Sequence, residues 1–123
     1  MLRAGQVYLG KFPPNTGKDR RFFILSDEDA GETTVVWVFT STQMSDETVI
    51  LQPRDHPAIT QTCVVVYSEA QVIDANVLRI AQARGALTQE VDLDKDLLQK
   101  IQEGLFESDE TPQSIVSYCT NRI

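Results

Sequence analysis

The sequence predicts a mainly β domain with helices at its C-terminal end. Six short runs of β-branched, aromatic and aliphatic residues fall in the first two-thirds of the 123-residue chain, separated by turn residues. The last third instead places its apolar residues at helical spacing. Closely spaced short strands are typical of a small, strongly bent sheet or barrel. We therefore expect a single domain over 1–123, with a barrel over about 5–74 and a helical part over about 75–123.

Local chemistry supports each predicted strand. The continuous apolar run Phe22–Leu25 is typical of a strand covered on both faces, and β-branched and aromatic residues fill Thr33–Thr40. Turn residues at Pro13–Lys18 end the first strand, and two prolines forbid regular structure within Gln52–Pro57. The other strands are expected at 6–11, 48–51, 62–67 and 70–73, with a polar loop at 26–32.

The apolar period changes after the last predicted strand. Val77–Ala81 has helical spacing, and Gly85 closes that short segment. Leu93–Leu105 carries the stripe of an amphipathic helix, with Asp92 or Asp94 as its N-cap.

A final helix is predicted to begin with Thr111 as its cap and Pro112 in its first turn. Its apolar positions Ile115, Val116 and Cys119 are expected to face the core.

Charge is unevenly distributed along the chain. The net charge of −7 and the pI near 4.5 argue against nucleic-acid binding. Yet residues 1–21 hold five cations and one anion, whereas the chain from Gly85 onward holds eight anions and three cations. This asymmetry favours a local basic site. No apolar run is long enough for a membrane span, and the first residues lack a signal peptide's apolar stretch, so we expect a cytoplasmic protein.

Two polar segments are candidates for phosphate binding. Lys18, Arg20 and Arg21 lie between a turn and a strand, where guanidinium groups can hold a phosphate through paired hydrogen bonds. A solvated charged loop is the alternative. Thr40–Gln43 follows a strand of buried type and either caps the strand end or lines a pocket.

His56 is the chain's one histidine and therefore the only side chain whose ordinary pKa lies near neutral pH. It follows Asp55 in a proline-restrained loop, and both a catalytic and a structural role remain open. His56, Cys63 and Cys119 are residue types that commonly bind zinc, but their spacing in the sequence is unlike that of zinc sites. We expect two buried thiols and neither a metal nor a cofactor.

The order of these features resembles the MazF/PemK-like toxins of bacterial toxin–antitoxin systems. Gly5–Pro14 is similar to their opening strand and proline turn, and Gly17–Ser26 to their second strand. Val36–Ser41 resembles their third strand with its terminal Thr-Ser, and Tyr67–Asp74 the strand that leads into a C-terminal helix. The resemblance extends over about residues 5–106.

This resemblance implies an SH3-like β-barrel of the MazF/CcdB type and a homodimer that cuts single-stranded RNA without a metal. It also implies an antitoxin whose extended tail covers the RNA groove; neither DNA nor a membrane is an expected partner. Arg20 matches the family's arginine before the second strand, and Thr40 with Ser41 matches its hydroxyl pair, so these three are assigned to catalysis. Lys18 and Arg21 are assigned to RNA binding.

One motif departs from the family. Val66-Tyr67-Ser68 stands where several ribonucleolytic members have Arg-x-Asp, which removes a phosphate-binding cation and a candidate base. Tyr67 and Ser68 are assigned to RNA binding in their place, and Glu69 is expected to point to the other face of an extended strand. His56 is assigned to catalysis, with Tyr67 as a possible acid/base partner, by likeness to relatives that have Asp/Glu-His-Pro before a tyrosine-containing strand.

Three functions follow as hypotheses. The first is a metal-independent endoribonuclease. The second is a catalytically silent homodimeric binding module of the same fold, which the acidic net charge and the missing Arg-x-Asp favour. The third is a CcdB-like protein that binds a protein target through its C-terminal helices.

Overall fold

A computed structural model describes residues 1–11, 18–28 and 34–123. In these ranges a curled six-stranded antiparallel sheet forms a half-barrel, in the order β4-β5-β3-β2-β1-β6. The strands are β1 (Val7–Gly10), β2 (Arg20–Ile24), β3 (Thr34–Ser41), β4 (Ile50–Leu51), β5 (Cys63–Asp74) and β6 (Leu87–Glu90). The helices are α1 (Ala75–Ala83), α2 (Lys95–Glu107) and α3 (Gln113–Cys119), with a 3-10 turn at Pro53–Asp55. Residues 13–17 of the proline turn predicted at Pro13–Lys18, and residues 29–33 of the predicted loop and third strand, lie outside the described residues.

The sheet buries apolar side chains on both faces, as the Phe22–Leu25 run predicts. Phe23 and Leu25 pack with residues of α2 and α3 in one apolar cluster. Phe22 and Ile24 pack with Trp37 and residues of α1 in a second cluster. Side chains of neighbouring residues in a strand point to opposite faces, so β2 supplies both clusters.

β5 is one continuous strand where the sequence predicts two. Its pairing with β3 runs from Phe39 opposite Val66 to Trp37 opposite Gln71, so that Tyr67–Ala70 lies opposite Val38 alone. Three extra residues on one side of a ladder make a bulge larger than the usual one-residue insertion, which bends the strand and re-aims its side chains. The polar residues of this bulge are the reason that the sequence reads as two strands.

β6 lies within the part of the chain predicted to be helical. Leu87–Glu90 pairs with β1 at one edge of the sheet and contains a single buried apolar residue, Leu87. Such a short and mostly polar strand leaves almost no hydrophobic pattern to find.

Local capping determines where the helices begin and end. The Asp94 carboxylate accepts a hydrogen bond from Leu97 N at 2.8 Å, which confirms Asp94 as the N-cap of α2. Gly85 follows α1 with a φ of 79°, a conformation that glycine adopts readily. The prediction of Thr111 as cap of α3 is wrong: Pro112 is the N-cap, and Thr111 donates its hydroxyl to the oxygen of Leu105 instead. None of the helices found in the described ranges is both long and apolar enough to cross a membrane.

Candidate functional site

A polar pocket of about 500 Å³ opens where the start of β2, the end of β3 and the first half of β5 meet. Its lining is formed by Leu9, Lys18–Arg21, Thr40–Gln43, Ser45, Ile59–Gln61, Cys63, Val66 and Glu69. Five residues assigned to function from the sequence are therefore together: Lys18, Arg20, Arg21, Thr40 and Ser41. The expectation that Thr40–Gln43 lines a pocket is confirmed as well.

Arg20 is held in place by three neighbours. Its Nη1 lies 2.8 Å from Glu69 Oε2, and its Nη2 donates a hydrogen bond of 3.1 Å to the oxygen of Thr40. Its guanidinium carbon lies 4.8 Å from the centre of the Phe39 ring. The aromatic face and the carbonyl orient the guanidinium plane toward the pocket, where its remaining N–H groups can bind an anion.

Glu69 is in the pocket because of the bulge in β5. With regular alternation it would share the face of Tyr67, but Glu69 and Val66 both line the pocket whereas Tyr67 is buried in the core. The expectation that Glu69 points to the other face is therefore wrong. The pocket consequently contains a carboxylate beside its arginine although the Arg-x-Asp motif is missing.

Arg21 forms a second ion pair, at the side of the pocket. Its Nε donates to Glu90 Oε1 at 2.7 Å, and its Nη2 donates to Glu90 Oε2 at 3.3 Å. Glu90 belongs to β6, so this bidentate pair connects β2 with the edge strand of the sheet. Because two of its three guanidinium nitrogens are engaged, Arg21 is less open to an incoming phosphate than Lys18, which is exposed.

Hydroxyl and amide groups form the uncharged part of the lining. Thr40 Oγ1 lies 3.5 Å from the oxygen of Arg21, and Ser41 Oγ accepts a hydrogen bond from Gln43 N at 3.1 Å. Both hydroxyls keep further hydrogen-bonding capacity, because a hydroxyl donates one bond and accepts two. The exposed side chains of Gln43 and Gln61 add amide donors and acceptors.

The charge of the lining is close to balance. Among the described residues it includes three cations, Lys18, Arg20 and Arg21, and two anions, Asp19 and Glu69. The pocket is thus locally positive in a chain whose net charge is −7. Cys63 also lines it, and burial raises the pKa of that thiol, so that the thiolate form is disfavoured.

His56 lies away from the polar pocket, in a second cleft lined also by Pro57, Ala58 and Gln89–Val91. Its Nε2 lies 2.7 Å from the oxygen of Val91, and its Nδ1 accepts a hydrogen bond from Ala58 N at 3.1 Å. The acceptor role of Nδ1 places the proton on Nε2, which donates to Val91. The imidazole thereby joins the loop after β4 to the end of β6, the two edges of the half-barrel.

Asp55 does not pair with that imidazole. Its Oδ2 instead accepts a hydrogen bond from Gln52 N at 2.7 Å, within the 3-10 turn.

The two remaining RNA-binding candidates also lie outside the pocket lining. Tyr67 is fully buried and donates its hydroxyl to the oxygen of Ile101 at 2.8 Å. Burial raises the pKa of this phenol above its ordinary value, with smaller contributions from Asp46 and Glu107. Tyr67 is thus hydrogen-bonded to Ile101 and His56 to Val91, so the two do not pair with each other. Ser68 is exposed on the bulge.

Some lining residues had little signal in the sequence. Thr60 and Gln61 lie in a polar stretch before β5, and Ser45 in the loop after β3. Only their position just before or after a buried strand could have indicated them, since such ends meet at one edge of a sheet.

No protein-family model matches the sequence, and no curated protein matches it. Among the described residues, no three His, Cys, Asp or Glu side chains are grouped as a metal site requires.

Proposed function

We propose that the chain is a MazF/PemK-like endoribonuclease with an SH3-like barrel, which cuts single-stranded RNA in the polar pocket without a metal. One observation carries this proposal: Lys18, Arg20, Thr40 and Ser41, which the resemblance selects from distant parts of the sequence, line a single pocket. The guanidinium of Arg20 is oriented to stabilise the charge that develops on a phosphorane. Electrostatic stabilisation of this kind contributes several kcal/mol to many enzymes.

The charge distribution fits a phosphodiester substrate bound weakly. At a Debye length of about 8 Å, the acidic C-terminal helices are largely screened from a pocket with one surplus cation. Binding is therefore expected to weaken as salt rises. The proposed assembly is a cytoplasmic homodimer whose groove is covered by the extended tail of an antitoxin.

Cleavage of RNA by the purified protein tests this proposal. A single-stranded RNA of mixed sequence is incubated with the protein in EDTA, and the products are resolved by length. Wild type is expected to cut it, and Arg20→Ala to abolish cutting. Arg54→Ala is the matched control, because Arg54 is exposed on the 3-10 turn and lies outside the pocket. Full activity of Arg20→Ala would contradict the site, and an intact RNA with wild type would contradict the function.

A catalytically silent binding module is the second candidate, and the ion pairs favour it. Arg20 faces Glu69 and Arg21 faces Glu90, so both arginines already have carboxylate partners. A silent module would shift the mobility of RNA, or capture an antitoxin, without any cutting. A third candidate, a CcdB-like binder of a protein target, would retain its target when the pocket is mutated.

A further inference from the structure

We infer that Glu69 is the general base that removes the proton of the 2′-hydroxyl in the proposed RNA cleavage. This inference rests on the proposed function and adds to it a catalytic residue that the sequence pattern places on the wrong face of β5. The bulge at Tyr67–Ala70, the contact with Arg20 and the partial exposure of the Glu69 side chain in the pocket carry it.

The bulge is the first step of the argument. Four residues of β5 lie opposite one residue of β3, and the result is that Val66 and Glu69 share the pocket. Bulges re-aim side chains and are common beside active sites. Here the bulge provides a carboxylate at the place where Val66-Tyr67-Ser68 lacks the one of the Arg-x-Asp motif.

The state of the carboxylate is the second step. Glu69 Oε2 is buried and makes no hydrogen bond in the described structure, although it lies 2.8 Å from Arg20 Nη1. The side chain as a whole is 43% exposed and lines the pocket, so Glu69 is open to a bound substrate on one side. A buried carboxylate oxygen ordinarily accepts hydrogen bonds. The Arg20 contact therefore fixes Oε2, and the exposed part of the Glu69 side chain is the part that a bound hydroxyl can reach.

Comparison with the other groups in the pocket is the third step. The titratable groups that line it are Lys18, Asp19, Arg20 and Arg21 before and within β2, and Cys63 with Glu69 from β5. The segment from β3 contributes only hydroxyl and amide side chains. Asp19 is exposed, and the described structure shows no hydrogen bond or ion pair between its side chain and that of Arg20. Among residues 1–11, 18–28 and 34–123, Glu69 is therefore the one carboxylate that forms an ion pair with the guanidinium proposed to hold the phosphate.

The chemical step balances with water as the only co-reactant. Glu69 takes the 2′-hydroxyl proton, the 2′-oxygen forms a bond to phosphorus, and the bond from phosphorus to the 5′-oxygen breaks. The 5′-oxygen takes a proton from water, and the hydroxide left behind takes the proton from Glu69. The products are a 2′,3′-cyclic phosphate and a 5′-hydroxyl, and Glu69 returns to its ionised form. Arg20 stabilises the negative charge on the phosphorane throughout.

Substitution of Glu69 by glutamine tests the inference, because glutamine keeps the size of the side chain but cannot accept the proton. General-base catalysis contributes about 10²–10⁴-fold to rate. We expect Glu69→Gln to lower kcat by at least about 100-fold. Its affinity for an RNA with a 2′-deoxy residue at the cleavage site should stay within about threefold of wild type or improve, because a competing anion is removed. Glu69→Asp should recover part of the activity, and Glu47→Gln, an exposed site outside the pocket, should have wild-type activity.

The pH profile separates a base from a positioning residue. A general base gives the pH profile of kcat an acid limb, and this limb should be absent from the residual activity of Glu69→Gln. Activity of Glu69→Gln within threefold of wild type, or an unchanged acid limb, would overturn the inference and leave the ribonuclease standing. Loss of RNA affinity equal to the loss of kcat would also overturn it. Wild type that cuts no RNA would overturn the proposed function and this inference together.

Discussion

Tyr67 donates its phenolic hydrogen to the main-chain oxygen of Ile101 over 2.8 Å, and the bond joins the bulge of β5 to the middle of α2. Both residues are fully buried. A buried donor of this kind stabilises a fold chiefly because its absence leaves a polar group without a partner. This hydrogen bond is relevant to the pocket, because Tyr67 and Glu69 belong to the same bulge and are two residues apart.

Tyr67→Phe should lower the free energy of unfolding by about 1 kcal/mol, because it removes one hydrogen bond and keeps the ring. Urea denaturation followed by the fluorescence of Trp37 measures the change. Ser68→Ala is the control, and as an exposed substitution it should alter stability by less than about 0.5 kcal/mol. Equal stability of Tyr67→Phe and wild type would show that the bond contributes nothing.

Gly104→Ala should destabilise the protein although alanine favours helices. A Cβ on Gly104 would collide with Tyr67 Oη and with Cγ2 of Val49. Overpacking costs about 1–3 kcal/mol, against a helical gain of about 1 kcal/mol. The same urea titration measures the net loss. The double variant with Tyr67→Phe should be less destabilised than the sum of the two single variants, because the phenol oxygen is the main obstacle. Strict additivity would contradict this.

Asp46 should make the stability depend on pH at the acid side. Burial alone would raise the pKa of Asp46, but hydrogen bonds from Ser108 and Thr48 outweigh it and leave the pKa lowered. A carboxyl whose pKa is lowered in the folded protein stabilises the fold at any pH above its pKa in the unfolded chain, which is near 3.9. This contribution is lost as the pH falls through the pKa of the folded state. Asp46→Asn should therefore be less stable than wild type at pH 7, and the difference should shrink below about pH 4. Thermal unfolding across pH 2–7 would reveal it, and parallel curves would refute it.

His56→Ala should lower stability and leave RNA cleavage intact. The variant loses the hydrogen bond to Val91, which joins the two edges of the half-barrel, and the local one from Ala58, at a cost of about 1–3 kcal/mol. The imidazole lies outside the pocket lining, so its loss should not affect the chemical step. Cleavage assays well below the melting temperature test this, with Arg20→Ala as the inactive reference. Loss of cleavage by a folded His56→Ala would return His56 to the catalytic residues.

The fold is predictable from sequence where local patterns are strong. The apolar run Phe22–Leu25 is sufficient to identify a strand that is buried on both faces. The carboxylate of Asp94 is sufficient to identify the N-cap of α2. β6 is not predictable in this way, because an edge strand with a single buried residue is stabilised by its pairing with β1 and not by its own composition.

The candidate site is predictable only in part. Arg20 and Thr40 are found from the order of motifs, and each lies beside a strand end that composition also indicates. The sequence pattern places Glu69 on the wrong face, because a bulge changes the face of every residue after it. No residue type within Tyr67–Ala70 indicates that the alternation changes there. His56 is attractive in sequence as a proton carrier, yet its hydrogen bonds depend on a residue 35 positions later.

The bulge in β5 also determines which kinds of mutation can change the chemistry of the pocket. A substitution within Tyr67–Ala70 alters one side chain and leaves every other side chain on the same face of the sheet. Insertion or deletion of a single residue there would shift the alternation, moving Glu69 out of the pocket while Val66 stays within it. Among descendants of this sequence, differences in loop length at this one position should therefore separate chains that retain a carboxylate beside Arg20 from chains that do not.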